Sequence, residues 1–425
     1  MDLKSYQLHK EILCIDLKSF YASVECVLRN LDPFTTPLVV ADQTRGKGGL
    51  CLAITPYLKS LGIPSRVRIF DIPKEISGNL IYAKPRMKTY MEYSLKVIQI
   101  YLKYVSYDDL YVYSIDEAFL DLTPYKNIYK TSAYHIGKRI LDDIYEELGL
   151  YAACGVGPNM LMAKLALDIE AKHQKGFIAE WNYDDIPQKL WPISPLSKMW
   201  GIGHRMEQNL NQLGIFTIKD LAEFPVERLK KRFGVIGEEL WYHAHGIDMS
   251  ILQQKNRLRK LNKSLGQSQV LFQDYYPPDI FIIMQEMVDE VTRRLRIHKK
   301  EAKTIHLSIG YSKTTGGGFS RQVTLDYPTH SEYQIFKTCL EIFEQFYENE
   351  AIRTIGISLS GLVTTSFKQL SIFENEEMLV KEEKLMHTID EIKNRFGKNS
   401  LNRGSSLEEK STIRLRNTYV GGHHE

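Results

Sequence analysis

The sequence predicts an α+β protein of about three domains, and three observations support this prediction. The chain has 425 residues, which is more than one hydrophobic core usually holds. Apolar runs typical of strands alternate with longer helical patterns up to residue 183, and residues 184–254 are helical in pattern. Residues 264–362 follow the order strand, helix, strand, strand, helix, strand.

Composition excludes several classes of protein. Hydrophobic residues make up 43% and charged residues 25% of the chain, as in ordinary globular domains. The formal net charge is only +3, so a nucleic-acid surface would require local clustering of basic residues. Five scattered cysteines without a C-x-x-C pair fit a reducing compartment and argue against a zinc site. No leader and no apolar run of ~18 residues is recognisable, so we expect a cytoplasmic protein without a membrane segment.

The stretch Tyr111–Thr123 reads Y-V-Y-S-I-D-E-A-F-L-D-L-T and places two carboxylates between two strand-like runs. Neighbouring residues on a strand point to opposite faces, so Asp116 and Glu117 can serve one pocket only where the chain turns. We therefore predict a β-hairpin of Tyr111–Tyr113 and Ala118–Leu122 with the two acids at its tip. Adjacent carboxylates repel each other unless a cation lies between them. The alternative is an ordinary solvated turn.

A second stretch far upstream favours a cation-binding hairpin over a solvated turn. The apolar run Ile12–Ile15 predicts a buried strand that ends in Asp16. Together with Asp116 and Glu117 on a neighbouring hairpin, Asp16 would complete three hard oxygen ligands on one sheet. Such a set suits two Mg²⁺ ions, which prefer carboxylates combined with substrate phosphates. Two ions about 3.5–4 Å apart can bind both the attacking and the leaving oxygens of phosphoryl transfer.

These two stretches, I-D-L-K-S-F-Y-A-S-V-E and Y-S-I-D-E-A-F-L-D-L, resemble the catalytic signature of the Y-family (translesion) DNA polymerases. The nearest resemblance is to the UmuC-type UV-damage repair polymerases of Gram-positive bacteria and their mobile elements, and it runs from about Glu11 to the C-terminus. It implies a right-hand polymerase with palm, fingers, helical thumb and little finger. The implied boundaries are palm 1–43 and 81–183, fingers 44–80, thumb 184–254, basic linker 255–263, β-α-β-β-α-β little finger 264–365 and C-terminal tail 366–425.

The resemblance also assigns the catalytic residues. It implies that Asp16, Asp116 and Glu117 are catalytic and hold two Mg²⁺ ions, with the backbone carbonyl of Leu17 as a further ligand.

Two aromatic residues follow the first acid. The resemblance implies that Tyr21 is the steric gate, which leaves no room for a ribose 2′-hydroxyl, and that Phe20 beside it belongs to the nucleotide site. The alternative is two core aromatics that open a helix.

Three further residues are implied to contact the triphosphate, namely Tyr57, Lys59 and Lys172. Many relatives carry Arg three residues after the tyrosine, but this chain has Ser60 there. Lys59 is therefore expected to act as a point charge without the bidentate geometry of Arg. Lys172 is expected to neutralise charge as the β,γ-bridge of the triphosphate breaks. Lys164 lies earlier on the same helix, and the alternative for both lysines is a solvated helical side chain.

Residues 196–221 predict a helix-hairpin-helix module, because short glycine turns separate helical patterns. Glycines let the backbone approach a phosphate, and the N-terminus of the following helix favours that anion. The module is implied to grip duplex DNA without sequence preference, and the basic linker after it is expected to touch the DNA backbone. A solvated loop is the alternative for that linker. The predicted DNA contacts in this region are Gly201, Gly203, Lys255, Arg257 and Arg259.

The little finger is implied to lie across the major groove of DNA. Basic residues cluster at the end of its first helix and on its strands. Phosphate contacts from such residues should make binding steeply salt-dependent. The predicted contacts are Arg293, Arg294 and Arg321.

A short peptide follows the last strand of the little finger. Gln369-Leu370-Ser371-Ile372-Phe373 resembles the bacterial sliding-clamp-binding pentapeptide. Leu370, Ile372 and Phe373 would be its apolar anchors and Gln369 its polar contact. The rest of the tail predicts one helix at about His387–Phe396.

The sequence thus favours a monomeric, template-directed, error-prone DNA polymerase that extends primers past damaged bases. Its expected partners are primer-template DNA, dNTPs and the sliding clamp (beta subunit). One alternative is a non-catalytic DNA- and clamp-binding accessory protein, because some relatives have lost the metal carboxylates. A nucleotide cyclase with a similar palm is a third possibility, but it has no use for the helix-hairpin-helix module or the clamp peptide.

Overall fold

The computed structural model describes residues 3–43, 49–259, 264–364, 376–420 and 423–424. For residues 74, 77, 256–259, 376–380, 382, 420 and 423–424 it describes the backbone only. The chain forms two compact units, one of Met1–Lys260 with His423–Glu425 and the other of Leu261–Gly422.

The first unit combines two sheets with helices. Its described strands are β1 (Ile12–Leu17), β2 (Leu38–Val40), β3 (Ala53–Ile54), β4 (Ile81–Ala83), β5 (Leu110–Val112), β6 (Glu117–Asp121), β7 (Ala152–Gly157) and β8 (Ile178–Glu180). Its described helices are α1 (Phe20–Val27), α2 (Pro56–Ser60), α3 (Lys74–Ser77), α4 (Met87–Tyr101), α5 (Lys126–Tyr129), α6 (Ala133–Leu148), α7 (Met160–Leu165), α8 (His204–Asn211), α9 (Ile218–Glu223), α10 (Val226–Phe233), α11 (Val235–Ala244) and α12 (Leu252–Arg259).

The larger sheet has the strand order β5-β6-β1-β7-β8, so β1 lies at its centre. Strand β1 pairs antiparallel with β6 on one side and with β7 on the other. Ile12–Ile15 are fully buried because the strand is enclosed on both edges and both faces. The predicted strand and hairpin are confirmed with shifted bounds, because β1 continues through Asp16 to Leu17 and the hairpin strands are β5 and β6. Asp116 lies in the turn as predicted, but Glu117 is the first residue of β6.

The smaller sheet has the order β3-β2-β4. Strand β2 pairs antiparallel with β3 and parallel with β4. An apolar cluster that includes Val39, Ile54 and Leu58 lies beneath this sheet. The region predicted as fingers therefore folds around its own small core, on strands contributed partly by the predicted palm.

Helix α7 lies unusually close to strand β7. A Cβ atom on Gly155 would lie 2.0 Å from the Ala163 carbonyl oxygen, and one on Gly157 would lie 2.5 Å from the Ala163 nitrogen. Only glycine permits this approach. After Leu165 the helix continues as a π-helical turn (Ala166–Glu170) and a 3₁₀ turn (Ala171–His173).

The predicted helix-hairpin-helix module is present as α8 to α11. Gly201 and Gly214 adopt left-handed backbone conformations, with φ of 96° and 80°, in the two turns that the sequence predicted. The apolar core of the module is continuous with that of the larger sheet. The basic segment after it is not a loop from its start, because Lys255–Arg259 belong to helix α12.

The second unit has the predicted β-α-β-β-α-β order followed by a helical tail. Its elements are β9 (Ser264–Tyr275), α13 (Asp279–Ile297), β10 (Lys300–Tyr311), β11 (Gly318–Thr329), α14 (Glu332–Phe346), β12 (Ile352–Thr364), α15 (Glu376–Phe396) and α16 (Ile413–Arg416). The antiparallel sheet has the order β11-β10-β12-β9, and α13 and α14 pack on one face of it. Two-residue strands, β13 (Tyr419–Val420) and β14 (His423–His424), end the described part of the chain.

The two faces of the second sheet differ in chemistry. Apolar residues such as Ile305, Leu307 and Ile357 face the helices and are buried. Their neighbours on the opposite face are small and mostly carry hydroxyl groups. Cross-strand register places on this open face Ser264, Gly266, Ser268, Val270, Thr304, His306, Ser308, Gly310, Ser320, Gln322, Thr324, Thr354, Gly356, Ser358 and Ser360.

The tail is part of the second unit. Helix α15 begins well before the predicted start at His387. Asp390 on α15 accepts two hydrogen bonds from the Arg296 guanidinium, at 2.7 and 3.0 Å, and both side chains are buried. Farther along, Arg403 pairs with Asp289 and Glu332 at 2.9 and 2.8 Å. These contacts fasten the tail to α13 and α14.

In the described residues, every helix is too short or too polar to cross a membrane.

Candidate active site

Asp16 and Glu117 lie directly opposite each other on neighbouring strands. They are partners in the antiparallel register of β1 and β6. Asp116 precedes Glu117 in the hairpin turn, and its backbone carbonyl accepts a hydrogen bond from the Leu17 N–H at 2.9 Å. The structure therefore brings the strand-end aspartate and the acidic turn together at one end of the sheet.

The acidic turn is held by hydrogen bonds from three directions. The backbone N–H groups of Tyr113 and Ser114 donate to the Glu117 carbonyl at 2.9 and 3.0 Å. The Ser114 hydroxyl donates to Asp116 Oδ1 at 2.6 Å. From helix α4, the buried Ser94 hydroxyl donates to the Ile115 carbonyl at 2.6 Å. The position of the two acids is thus fixed by the hairpin and by the helix behind it.

Two lysines from the helix that begins at Met160 contact these acids. Lys164 Nζ lies 2.7 Å from Glu117 Oε1, and Lys172 Nζ pairs with Asp16 Oδ2. Both ammonium groups also reach Asp168, at 3.0 Å from Lys164 and 2.8 Å from Lys172. Lys172 therefore lies in the site as predicted, and Lys164 lies there as well.

The site holds an excess of negative charge. Burial raises the pKa of Asp16 to about 6, Lys172 opposes this shift, and the charges of Asp116 and Glu117 add to it. Burial alone would lower the pKa of Lys164, but the surrounding Cys14, Glu117 and Asp168 groups raise it above its usual value. A further cation would offset both the burial of Asp16 and the smaller repulsion from Asp116 and Glu117.

The donor set fits Mg²⁺. Carboxylate oxygens are its usual protein ligands, and it is held by one or two carboxylates plus substrate phosphates rather than by a closed protein cage. Among the described residues, however, no three His, Cys, Asp or Glu side chains are grouped so that they could hold a metal ion, so Asp16, Asp116 and Glu117 do not form a ready-made metal site in this arrangement. Lys164 and Lys172 bind carboxylate oxygens that a divalent cation would use.

Tyr21 is held from below by a second tyrosine. Its ring stacks on that of Tyr90 with centroids 4.5 Å apart, and the Tyr90 hydroxyl donates to Glu25 Oε1 at 2.8 Å. Glu25 is fully buried and also accepts two hydrogen bonds from Arg86, at 3.0 and 2.7 Å. Hydrogen bonds from Arg86, Arg29 and Tyr90 outweigh the effect of burial and lower the pKa of Glu25. Tyr21 thus packs on a tyrosine whose position is fixed by a buried carboxylate.

Phe20 belongs to the core instead of the nucleotide site. Its side chain is only 3% exposed, because helix α1 begins at Phe20 and turns this residue into the protein. The predicted nucleotide contact of Phe20 is therefore wrong. Tyr21 is the aromatic residue that stays accessible beside Asp116, whose charge helps burial to raise the Tyr21 pKa.

The predicted triphosphate contacts of the fingers lie on helix α2. Tyr57 packs against the small apolar cluster of the fingers, and the Ser60 hydroxyl donates to its carbonyl at 2.7 Å. Lys59 is exposed, and its pKa is lowered by partial burial and by Lys172, while Asp16 and Asp116 oppose the shift. Lys59 is thus electrostatically coupled to the acidic site, whereas Ser60 is turned back onto its own helix.

An open cleft of about 470 Å³ lies beside Asp168. It is lined by Tyr113 and Asp168 on one side and by residues 197–203, which include Gly201 and Gly203, on the other. Trp200 packs edge-on against Tyr113, with ring centroids 6.0 Å apart. The first glycine turn of the helix-hairpin-helix module therefore faces the same cleft as Asp168, the carboxylate that pairs with Lys164 and Lys172.

The other basic residues predicted to contact DNA lie in different surroundings. Lys255 is half-buried on helix α12, and the side chains of Arg257 and Arg259 lie outside the described residues. Arg294 donates to the Gly266 carbonyl at 2.9 Å and Arg321 lies over the Phe346 ring on the helix-packed side of the sheet.

Arg293 is engaged with the tail and its own helix. Its side chain is 11% exposed and donates to Glu290 at 3.2 Å and to Asn394 at 3.0 Å. The structure therefore favours a structural role for Arg293 over the predicted phosphate contact. The clamp-like peptide, Gln369 to Phe373, lies outside the described residues.

Sequence reasoning missed four residues that shape the site. Asp168 joins the two lysines, and Ser94, Tyr90 and Glu25 support the acidic turn and Tyr21. A partial signal existed, because Tyr90 and Ser94 are four residues apart on α4 and therefore share one face of that helix. The four-residue spacing of Lys164, Asp168 and Lys172 was a signal as well, but no local pattern identifies Glu25 as the partner of Arg86 and Tyr90.

Comparison with known proteins shows which family has this architecture. The impB/mucB/samB family matches residues 15–168, the IMS family HHH motif matches 183–215, and the C-terminal domain of the impB/mucB/samB family matches 262–372. A Y-family DNA polymerase chimera of known structure superposes with a TM-score of 0.66 over 83% of this chain and 99% of its own, at 20% identity. That likeness concerns the fold, which is the fold of a Y-family polymerase.

Relatives that match over nearly the whole chain show the family to which it belongs. The chain is 41% identical over 417 residues to UvrX of Bacillus subtilis (strain 168), a protein named for UV-damage repair, and the match covers 97% of both chains. It is 33% identical over 419 residues to DNA polymerase IV 2 of the same organism, covering 98% of this chain and 99% of the relative. The chain belongs to the impB/mucB/samB family of Y-family DNA polymerases.

Proposed function

We propose that this chain is a template-directed, error-prone DNA polymerase that extends primers past damaged bases with dNTPs and two Mg²⁺ ions. The observation that carries the proposal is the convergence of Asp16, Asp116 and Glu117 at one end of the sheet. Relatives named for UV-damage repair and as DNA polymerase IV support the substrate class.

Each residue has a part in the proposed reaction. Bound Mg²⁺ would supply Lewis-acid stabilisation of the reacting oxygens. Asp16, Asp116 and Glu117 hold the ions together with the backbone carbonyl of Leu17. Their hydrogen-bonded turn keeps the carboxylates oriented, which lowers the reorganisation required during the reaction.

The residues around the acids select and bind the nucleotide. Tyr21, backed by Tyr90, limits the space available to a 2′-hydroxyl. Lys172 and Lys59 offer positive charge to the triphosphate, as cations do throughout phosphoryl transfer. The fingers have a small core and would cover little of the nascent base pair, which suits a site that accepts damaged templates.

Primer-template DNA and the sliding clamp are the proposed partners. The cleft between Tyr113 and the Gly201–Gly203 turn, which Asp168 also lines, would place backbone N–H groups of that turn within reach of DNA phosphates. The pentapeptide Gln369–Phe373 is proposed to bind the clamp through Leu370, Ile372 and Phe373, with Ser371 between the first two anchors.

Primer extension with Mg²⁺ and dNTPs tests the proposal. The wild type should extend a primer on a damaged template, and Asp116→Ala/Glu117→Ala should abolish extension. Glu146→Ala/Glu147→Ala is the matched control, because these neighbouring acids are exposed on helix α6. Extension that survives in the Asp116→Ala/Glu117→Ala variant would exclude these acids as the catalytic centre.

A further inference from the structure

Asp168 bridges the two lysines that contact the carboxylates. Its Oδ1 accepts hydrogen bonds from Lys172 at 2.8 Å and from Lys164 at 3.2 Å. Each ammonium group is therefore shared between Asp168 and one of the acids opposite, Glu117 for Lys164 and Asp16 for Lys172. The result is a chain of alternating charges that runs from Glu117 through Lys164, Asp168 and Lys172 to Asp16.

The local helix geometry makes this bridge possible. Lys164, Asp168 and Lys172 are spaced four residues apart, which in a regular α-helix rotates each side chain about 40° past the one before. The π-helical turn Ala166–Glu170, which contains Asp168, changes this rotation between Lys164 before it and Lys172 in the 3₁₀ turn after it. Such turns are frequent at functional sites, and here the turn lies at the centre of the charged cluster.

The lysines and a divalent cation compete for the same oxygens. A cation that binds Asp16 and Glu117 must displace the ammonium groups from Asp16 Oδ2 and Glu117 Oε1. The Lys164 side chain is only 9% exposed, so a displaced ammonium without a carboxylate partner would be buried and uncompensated. Asp168 already lies within bonding distance of both lysines and can keep them with little movement.

We propose that Asp168 is a positioning residue that retains Lys164 and Lys172 when divalent cations take the oxygens of Asp16 and Glu117. Its role in catalysis rests on the proposed polymerase function: held by Asp168, Lys172 stays beside the position of the triphosphate. Its role in cation binding does not require DNA or nucleotide.

Mn²⁺ binding to the full chain tests the inference without any reaction. Electron paramagnetic resonance counts unbound Mn²⁺, which here serves as the probe for Mg²⁺. Asp168→Asn should weaken Mn²⁺ binding about tenfold, as changes behind metal ligands typically do. Asp168→Glu retains the charge and should stay within about threefold of the wild type. The matched control is Asp142→Asn. It neutralises a half-exposed aspartate that pairs with Lys138, four residues earlier on α6, away from the site.

A variant without the two lysines distinguishes a positioning role of Asp168 from a direct effect of its negative charge. In the variant Lys164→Met/Lys172→Met, adding Asp168→Asn should change Mn²⁺ affinity by less than about twofold, because Asp168 acts through the lysines. An unchanged tenfold effect in this background would mean that Asp168 is only a nearby negative charge, and the inference would be overturned.

The failure of this inference is distinguishable from the failure of the proposed function. If the wild type binds Mn²⁺ through Asp16, Asp116 and Glu117 but Asp168→Asn binds it equally well, only the inference is lost. A wild type that neither binds Mn²⁺ at these acids nor extends primers would remove the proposed function itself. Under the inference, Asp168→Asn should also raise the KM for dNTP more than it lowers kcat.

Discussion

Tyr21 stacks face to face on Tyr90, with ring centroids 4.5 Å apart and planes inclined by 18°. Tyr90 is itself fixed by a hydrogen bond to the buried Glu25. The orientation of the proposed steric gate therefore depends on a side chain that does not touch the nucleotide.

The first prediction concerns sugar selection. Tyr21→Ala should raise the incorporation of ribonucleotides relative to deoxyribonucleotides by about tenfold or more, because it opens space for the 2′-hydroxyl. Tyr90→Phe should give a smaller increase of about two- to fivefold, since it removes one hydrogen bond to a charged group and leaves the stacked ring. Single-nucleotide insertion with matched dNTP and rNTP measures both.

Tyr93→Phe on the same helix is the control and should leave the ratio unchanged. Equal sugar selection in Tyr21→Ala and the wild type would remove Tyr21 from its proposed role.

The second prediction concerns the attachment of the tail. Asp390→Ala leaves the Arg296 guanidinium buried without its partner and should cost about 3–5 kcal/mol of stability in the second unit. The pair Arg353–Asp274 is more than one third exposed on both sides, so Asp274→Ala should cost less than about 1 kcal/mol. Hydrogen–deuterium exchange of Asp279–Ile297 in the full chain reports the difference. Equal protection of this helix in both variants would show that the tail does not stabilise it.

The third prediction is a dependence of stability on pH. Burial, and the hydrogen bond and charge of Asp289, raise the pKa of Glu332 well above its usual value, although Arg403 opposes the shift. The folded protein therefore holds this proton more tightly than the unfolded chain, so stability falls as pH rises from the unfolded pKa through the raised folded pKa.

Thermal unfolding of the full chain between pH 6 and 9 checks this prediction. Relative to Glu332→Gln, which cannot ionise, the wild type should lose more than about 1 kcal/mol over that range. Parallel curves for the two proteins would show that Glu332 does not titrate there.

The fourth prediction concerns the sliding clamp. Leu370→Ala/Phe373→Ala should abolish association with the clamp, because it removes two apolar anchors, and should leave extension without the clamp intact. Phe367→Ala, just outside the pentapeptide, is the control. Surface plasmon resonance on immobilised clamp measures binding, and retained affinity in the double variant would assign the interaction to another segment.

Part of this site could be predicted from sequence and part could not. An apolar run and a hairpin, both local patterns, predicted that Asp16 and Glu117 share one sheet, whereas their direct pairing in the register became visible only in the structure. The fates of Arg293 and Arg296 could not be predicted, because a basic helix end has the same sequence pattern whether it meets DNA or an acidic tail helix. Phe20 and Tyr21 are adjacent aromatics, and only the direction in which α1 begins decides which of them is buried.

The Asp168 bridge shows the same limit in another form. Two lysines and an aspartate at intervals of four predict ordinary surface pairs on a regular helix. The π-helical turn between the two lysines arises within a helix that packs tightly on β7, and that packing has no local sequence signature apart from two glycines.

Those two glycines set a distance on which the chemistry depends. Because only hydrogen atoms separate β7 from the Ala163 backbone, the gap between the sheet that carries Asp16 and the helix that carries the lysines is at its minimum. Even a methyl group at Gly155 would push that helix outward and would lengthen the contacts of Lys164 with Glu117 and of Lys172 with Asp16 together. The lengths of the ion pairs between the helix and the sheet thus depend on glycines in β7 that have no side chain and take no part in the chemistry.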